Sequence, residues 1–324
     1  RMRPFLAGLG FRPTQAQNRV LREIREDMGG TVPMRRLLQG DVGSGKTLVA
    51  AAAALMAIES GYSAVVMAPT EILSHQLHAN FRRWLEPLGI PVHLWTANTK
   101  SRSEPGLNLG LSDVGLTVGT HALIESGFLP ERLGLVIIDE QHRFGVAQRL
   151  ALRQKLSDAE TFGEHSEGTP QEPHLLMMSA TPIPRTLAMS YYADLDVSTI
   201  DELPPGRTPI VTKLVAETRR DEIIERIRVQ LTEGRQIYWV CPLIEESEAL
   251  DLRNATDTHQ DLCNALPGVM VGLLHSRMPQ AEKKAVMSLF VQGQMGVLVS
   301  TTVIEVGVDV PNASLMVIEH AERF

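Results

Sequence analysis

The chain has 324 residues, 44% of them apolar and 21% charged, which suits two folded domains and excludes disordered, collagen-like and coiled-coil chains. The longest uninterrupted apolar run, Leu48 to Ile58, is far short of the roughly 20 residues that cross a bilayer, so no membrane partner is expected. Net charge is −7, with 16 Lys and Arg against 13 Asp and Glu in residues 1–150 and 15 against 25 in 151–324, so composition neither establishes nor excludes a polyanionic partner.

The chain opens at Arg1 without a charged leader and cleavage pattern, and reads as the interior of a longer protein. Helical spacing of apolar residues predicts a helix over Ala16–Met28, followed by a short apolar strand at Arg36–Gln39. The next eight residues, Gly40-Asp41-Val42-Gly43-Ser44-Gly45-Lys46-Thr47, fit G-x-x-x-x-G-K-[ST] and lead into an alanine-rich helix over Thr47–Ser60. Strand, glycine loop and helix in that order form a phosphate cradle: loop amides and the helix N-terminus face the anion, Lys46 reaches the β/γ-phosphates and the Thr47 hydroxyl binds Mg²⁺. ATP and Mg²⁺ are therefore the expected ligands.

A strand at Ala64–Ala68, a helix at Ile72–Leu85 and a strand at Leu116–Gly119 continue the βα alternation of a doubly wound parallel sheet. Pro69, Thr70, Gly119, Thr120 and His121 follow these strands, where hydroxyls and amides can hold a sugar-phosphate backbone or simply cap helices. The strand Leu133–Ile138 ends in Asp139-Glu140, placing one carboxylate to hold Mg²⁺ and the next to polarise an attacking water; an acidic pair there is also an ordinary helix cap. Ser157–Pro173 is polar and acidic and reads as a solvated insertion before a strand at His174–Met178 and the triplet Ser179-Ala180-Thr181, whose hydroxyls can sense the γ-phosphate.

Ile200–Pro209 is proline-rich and marks the hinge. The domains expected are residues 1–195, a linker at 196–209, and 210–324. The second domain repeats the alternation: strand Ile210–Val215, helix Arg219–Thr232, strand Gln236–Val240, helix Asp257–Leu266, strand Val269–Leu274, helix Gln280–Gln292 and strand Val297–Ser300. Cys241 and Cys263 lack CxxC spacing and read as packing residues in a reducing cytosol. No HExxH or Cys/His cluster occurs among the ten histidines, so His75, His78, His275 and His320 read as surface or packing residues.

In this order Gly40–Thr47, Asp139-Glu140-Gln141-His142 and Ser179-Ala180-Thr181 resemble motifs I, II and III of superfamily 2 helicases. The longer stretches Asp139–Val146, Ala180–Met189, Leu203–Arg207, Trp239–Ser247 and Thr302–Pro311 resemble the RecG branch of DNA helicases across essentially the whole chain. That resemblance implies two RecA-like P-loop domains with mainly parallel sheets, the second truncated at its C-terminus. They would close on MgATP and open after hydrolysis, stepping along branched or forked duplex DNA in the bacterial cytosol or nucleoid. It implies a monomer, with a single-strand-binding protein as a partner of the full-length parent.

By position it also implies roles. Gln17 reads adenine; Lys46, Asp139 and Glu140 serve hydrolysis; Gln141, His142, Ser179, Thr181 and Arg185 couple it to movement. Glu305, Gly307 and Asp309 approach the nucleotide from the second domain, and Thr301 and Thr302 join the DNA-facing loops. Ala97, in Thr96-Ala97-Asn98, stands where relatives commonly have glycine, which puts close backbone approach to DNA there in doubt. The chain ends at Glu322-Arg323-Phe324, before the arginines of motif VI, and without the amino-terminal wedge domain of RecG relatives, so this stretch is expected to bind ATP but hydrolyse it poorly. The rival readings are a transcription-repair coupling translocase on duplex DNA and a nucleotide-gated DNA-binding scaffold.

Overall fold

Strands covered on both faces are apolar at successive positions rather than alternating, and Ser63–Met67 and Leu116–Gly119 are buried at every residue. They belong to a computed structural model that describes residues 1–96, 114–120, 123, 132–139, 172–180, 195–202, 210–241, 248–275, 277–301, 310 and 312–323. The chain divides into two units, Arg1–Thr208 and Pro209–Phe324.

The first unit is built on a seven-stranded parallel sheet of β1 (Arg35–Gly40), β2 (Ser63–Met67), β3 (Val92–Trp95), β4 (Leu116–Gly119), β5 (Leu133–Ile138), β6 (His174–Ser179) and β7 (Asp196–Ile200). Their spatial order is β3-β4-β2-β5-β6-β1-β7. Helices α1 (Met2–Gly8), α2 (Gln15–Met28), α3 (Lys46–Glu59) and α4 (Glu71–Leu85) accompany it. Helix α3 is apolar all round, and Ala50–Ala54 are fully buried, because methyl side chains let sheet and helices approach it from every side.

Two strands of this sheet were not expected. Strand β3, Val-His-Leu-Trp, lies at the sheet edge and is buried only at alternate residues. Strand β7 falls inside the stretch 196–209 read as linker, and this is a correction: residues 196–200 pair with β1 from Arg36↔Asp196 to Gly40↔Ile200. Its polar sequence misled because it serves a buried cation. Arg36, 8% exposed, donates through Nη1 to Ser198 Oγ at 2.8 Å and through Nε to Asp27 Oδ2 at 2.8 Å. Residues 203–209 lie outside the described residues. So does most of the expected insertion, but its last residues are part of the fold: Glu172 Oε1 and Oε2 both accept from Arg35 Nη2, at 2.9 and 2.8 Å, and Pro173 is buried.

His174, the first residue of β6, accepts the Met34 N–H at Nδ1 (2.8 Å), and burial holds its pKa below the ordinary histidine value. The sign follows. Above the ordinary value both folded and unfolded chains are neutral at this ring; as pH falls through it, the unfolded chain takes up a proton that the folded chain refuses, and stability declines. The melting temperature should therefore drop from about pH 7 to about pH 5. In His174→Asn, whose Oδ1 can accept the same bond without titrating, the drop should be shallower, the remainder coming from His78 and His275, also lowered by burial. An unchanged slope would remove His174 from this account.

The second unit carries a four-stranded parallel sheet of β8 (Gln236–Cys241), β9 (Val271–Leu274), β10 (Val297–Thr301) and β11 (Ala313–Ile318), in the order β11-β8-β10-β9, with helices α5 (Arg220–Thr232), α6 (Glu248–Ala265) and α7 (Gln280–Val291). Trp239 and Phe290 fill its core, and buried Gln236 donates Nε2 to Phe290 O and Met295 O at 2.6 and 2.8 Å. Strand β11 escaped the sequence reading: one face packs inward while Met316 and Ile318 stay exposed. The expected strand Ile210–Val215 is corrected: these residues are irregular, with Ile210, Val211 and Leu214 exposed, because no described strand offers them a ladder and apolar character alone does not make a strand.

Both cysteines are free. Burial first, and then Glu319, push the Cys241 thiol up to about 12, whereas Cys263 is partly exposed. A thiol reagent at neutral pH should modify Cys263 alone in the native protein and both cysteines in denaturant; rapid native labelling of Cys241 would contradict this burial.

Candidate nucleotide-binding site

A parallel sheet delivers the carboxyl ends of all its strands to one edge, and a crevice there is where α/β proteins take ligands. Strand β1 ends at Gly40, β6 lies beside it with Gln39↔Ser179 in register, and β5 lies beside β6 with Ile138↔Met177. The glycine loop, Ser179 and Asp139 thus emerge from three adjacent strands at nearly one level. The Asp139 main chain is fixed by its N–H to Met67 O (2.9 Å).

The loop shape is dictated by its glycines. Gly43 and Gly45 have φ of 78° and 88°, a region where a Cβ is strained. Helix α3 starts on Gly45 with no side-chain cap, while Thr14 caps α2 and Thr70 caps α4. An uncapped N-terminus behind a glycine turn suits an anion. Ser44 is 1% exposed and its hydroxyl has no hydrogen-bond partner among the described residues, a further polar group turned into the loop. Lys46 is 9% exposed, and its ammonium donates to Gly40 O (2.7 Å) and Asp41 O (3.1 Å). It therefore sits folded back over its own loop, placed to exchange carbonyls for phosphate oxygens. Asp41 Oδ1 takes the Val42 N–H at 2.7 Å, and Asp41 O takes the Ser44 N–H at 3.0 Å, so the loop is braced from within. Thr47, half-buried in the first turn of α3, and half-buried Asp139 provide the hydroxyl and carboxylate that a magnesium ion accompanying a triphosphate takes as ligands.

Gln17 is more than a polar helix residue. It is 3% exposed and closes a capping box, its Oε1 accepting the Thr14 N–H (3.0 Å) and its own N–H donating to Thr14 Oγ1 (3.2 Å). Its Nε2 donates to Ser44 O at 2.8 Å, so the helix-capping residue touches the phosphate loop directly. The pattern Thr14-x-x-Gln17 carries the capping signal and could have revealed it. The third participant, Glu202, whose Oε2 accepts the Ala16 N–H at 3.1 Å, is 186 residues away and leaves no local trace.

Pro69 and Thr70 are half-exposed at the same edge after β2, and Thr70 caps α4 by accepting the Leu73 N–H (3.4 Å). Gly119, the last residue of β4, and Thr120 after it are buried, Thr120 N donating to Trp95 O at 3.3 Å. In the second unit Thr301 ends β10, 4% exposed, and its hydroxyl, like that of Ser300, has no hydrogen-bond partner among the described residues. His121, Glu140, Gln141, His142, Thr181, Arg185, Thr302, Glu305, Gly307 and Asp309 lie outside the described residues.

A strand, a left-handed glycine loop and an uncapped helix, with a serine at the end of the next strand and a carboxylate at the end of the one beyond it, define a P-loop nucleotide-binding protein of the RecA-like class. Residues 14–190 match the family described as DEAD/DEAH box helicase, and residues 219–323 the helicase conserved C-terminal domain. The chain belongs to the DEAD/DEAH box helicase family.

It is 57% identical over 321 residues to the ATP-dependent DNA helicase RecG of Acidithiobacillus ferridurans, and 56% over 322 residues to that of Escherichia coli K12, covering in each case 98% of this chain and 45% of the relative. The chain thus spans less than half the length of these relatives. A solved structure of RecG bound to a three-way DNA junction superposes with a TM-score of 0.77 at 41% identity, over 99% of this chain and 40% of that one. Dbp5 of S. cerevisiae bound to RNA and ADP BeF3 matches at a TM-score of 0.68 and 16% identity, over 97% and 77% of the two chains, a likeness of fold alone. The two parallel sheets agree with the expected pair of RecA-like units.

Proposed function

We propose that the chain is the ATP-hydrolysing motor of a RecG-type DNA helicase that works on branched or forked duplex DNA in the bacterial cytosol. The observation that carries this reading is the phosphate cradle at the end of β1, with Ser179 at the end of adjacent β6 and Asp139 at the end of β5 beyond it, in a chain that is 57% identical to a RecG protein over 321 residues.

The loop amides and the N-terminus of α3 bind the triphosphate, and Lys46 moves from the carbonyls of Gly40 and Asp41 to the β/γ-phosphate oxygens. Thr47 and Asp139 would hold magnesium, which would supply charge neutralisation for the bound triphosphate. Glu140 accepts a hydrogen bond from the attacking water and orients it. Gln17 reads the base. Ser179 and Thr181, following β6, sense the γ-phosphate, and Arg185 carries that state onward with Gln141 and His142. Pro69, Thr70, Gly119, Thr120 and His121, with Thr301 and Thr302 of the second unit, hold the DNA backbone; Glu305, Gly307 and Asp309 serve the nucleotide from that unit. Monomeric action, and a single-strand-binding protein as partner, are part of the same reading.

Steady-state ATP turnover of the full-length protein, with and without a three-way DNA junction, tests it. Stimulation by the junction is expected, and turnover that ignores the junction would overturn it.

A further inference from the structure

The segment that closes the first unit is fastened to the helix that carries Gln17. Arg19 donates through Nη2 to Thr199 O (2.8 Å) and Asp201 Oδ1 (3.0 Å), and one residue further on Glu202 Oε2 accepts the Ala16 N–H at 3.1 Å. The first turn of α2 is thereby satisfied from two sides. Thr14 and Gln17 cap each other within the turn, and a carboxylate from a distant part of the chain takes a donor that the turn cannot satisfy for itself. A carboxylate there also meets the positive end of the helix.

The consequence falls on Gln17. Its amide has two N–H donors and two acceptor positions; one donor goes to Ser44 O and one acceptor position to Thr14 N–H. The remaining donor and acceptor are the complement that an amide offers to the N6/N7 edge of adenine. The aim of that pair depends on how firmly the first turn of α2 is held. We propose that Glu202 is a positioning residue for base recognition, fixing that turn through the Ala16 N–H so that Gln17 discriminates adenine from guanine. This rests on the reading of the loop as an ATP site and on Gln17 facing the base.

The test measures equilibrium binding of fluorescent ATP and GTP analogues to the full-length protein and to Glu202→Ala, Glu202→Gln, Gln17→Ala and the Glu202→Ala/Gln17→Ala pair, with thermal melts of each. Gln17→Ala should lose the preference for ATP. Glu202→Ala should lose about five-fold of it, the effect of one removed cap, with a melting temperature near that of wild type. Glu202→Gln, whose amide oxygen accepts the same N–H, should keep it, and the double variant should be no worse than Gln17→Ala. Wild-type selectivity in Glu202→Ala, an equal loss in Glu202→Gln, or additive losses in the pair would each overturn the positioning role. If Gln17→Ala itself leaves the preference intact, the assignment of Gln17 to the base fails, and the role of Glu202 with it; a Gln17→Ala loss without a Glu202→Ala loss removes the positioning role alone.

Discussion

Replacing Lys46 by alanine should lower ATP turnover by at least about 10²–10³-fold, the cost of removing one preorganised hydrogen-bond donor from an active site. The ammonium is nearly buried and already at the mouth of the loop, 2.7 Å from Gly40 O and 3.1 Å from Asp41 O. Its move onto phosphate replaces one set of oxygens by another rather than stripping water from an exposed charge, so little of its attraction for the triphosphate is spent on desolvation. Without nucleotide the same substitution leaves the Gly40 and Asp41 carbonyls short of a donor, and water can reach the exposed Asp41 side of the loop. Stability should therefore change far less than turnover. Turnover assays and thermal melts on the same protein separate the two effects. A Lys46→Ala protein that hydrolyses ATP at the wild-type rate would move the hydrolytic site away from this loop.

The elements that sequence revealed are those whose physics is local. Ser63–Met67 is apolar at four of five positions because both faces of this parallel strand are buried, and the glycines of the loop are required by left-handed φ values at Gly43 and Gly45. The elements it concealed depend on distant partners. Strand β7 contains Ser198 because a buried Arg36 needs an acceptor, so polarity that signals a linker in isolation is here core chemistry. Ile210, Val211 and Leu214 failed in the opposite sense, since β-branched and apolar residues make a strand only where an edge will pair with them. At the site, the loop and Asp139 were legible from spacing. The mutual cap of Thr14 and Gln17 was legible in principle, and Glu202 was not, because a carboxylate that caps a helix from 186 residues away carries no pattern of its own. Thr70 shows why position does not decide role: its hydroxyl is a helix cap at the very edge where a DNA backbone could lie.

Gly45→Ala should be as damaging as the loss of Lys46, by a different route. The residue stands at φ 88°, where an L side chain costs about 1–2 kcal/mol, and an added Cβ would come within 2.3 Å of Gln17 Nε2 and 3.4 Å of its Cδ. Gln17 cannot simply swing away, since that nitrogen is buried and bonded to Ser44 O. Displacing it breaks the tie between α2 and the loop, and leaves a buried carbonyl unpaired at a further cost of about 1–3 kcal/mol. The loop would respond by shifting its own backbone, which is the surface that must follow the phosphates, so nucleotide affinity should fall by about 100-fold, the equivalent of these two penalties together. A second substitution divides the causes. In Gly45→Ala/Gln17→Ala the clashing atoms are gone while the φ strain and the unpaired Ser44 carbonyl remain, so Gly45→Ala should cost less stability in the Gln17→Ala background than in the wild-type one, whereas affinity should not return, because the amide proposed to read the base has gone. If Gly45→Ala costs as much stability in the Gln17→Ala background as in the wild-type one, strain at φ 88° is the whole penalty and the packing of Gln17 against Gly45 contributes nothing.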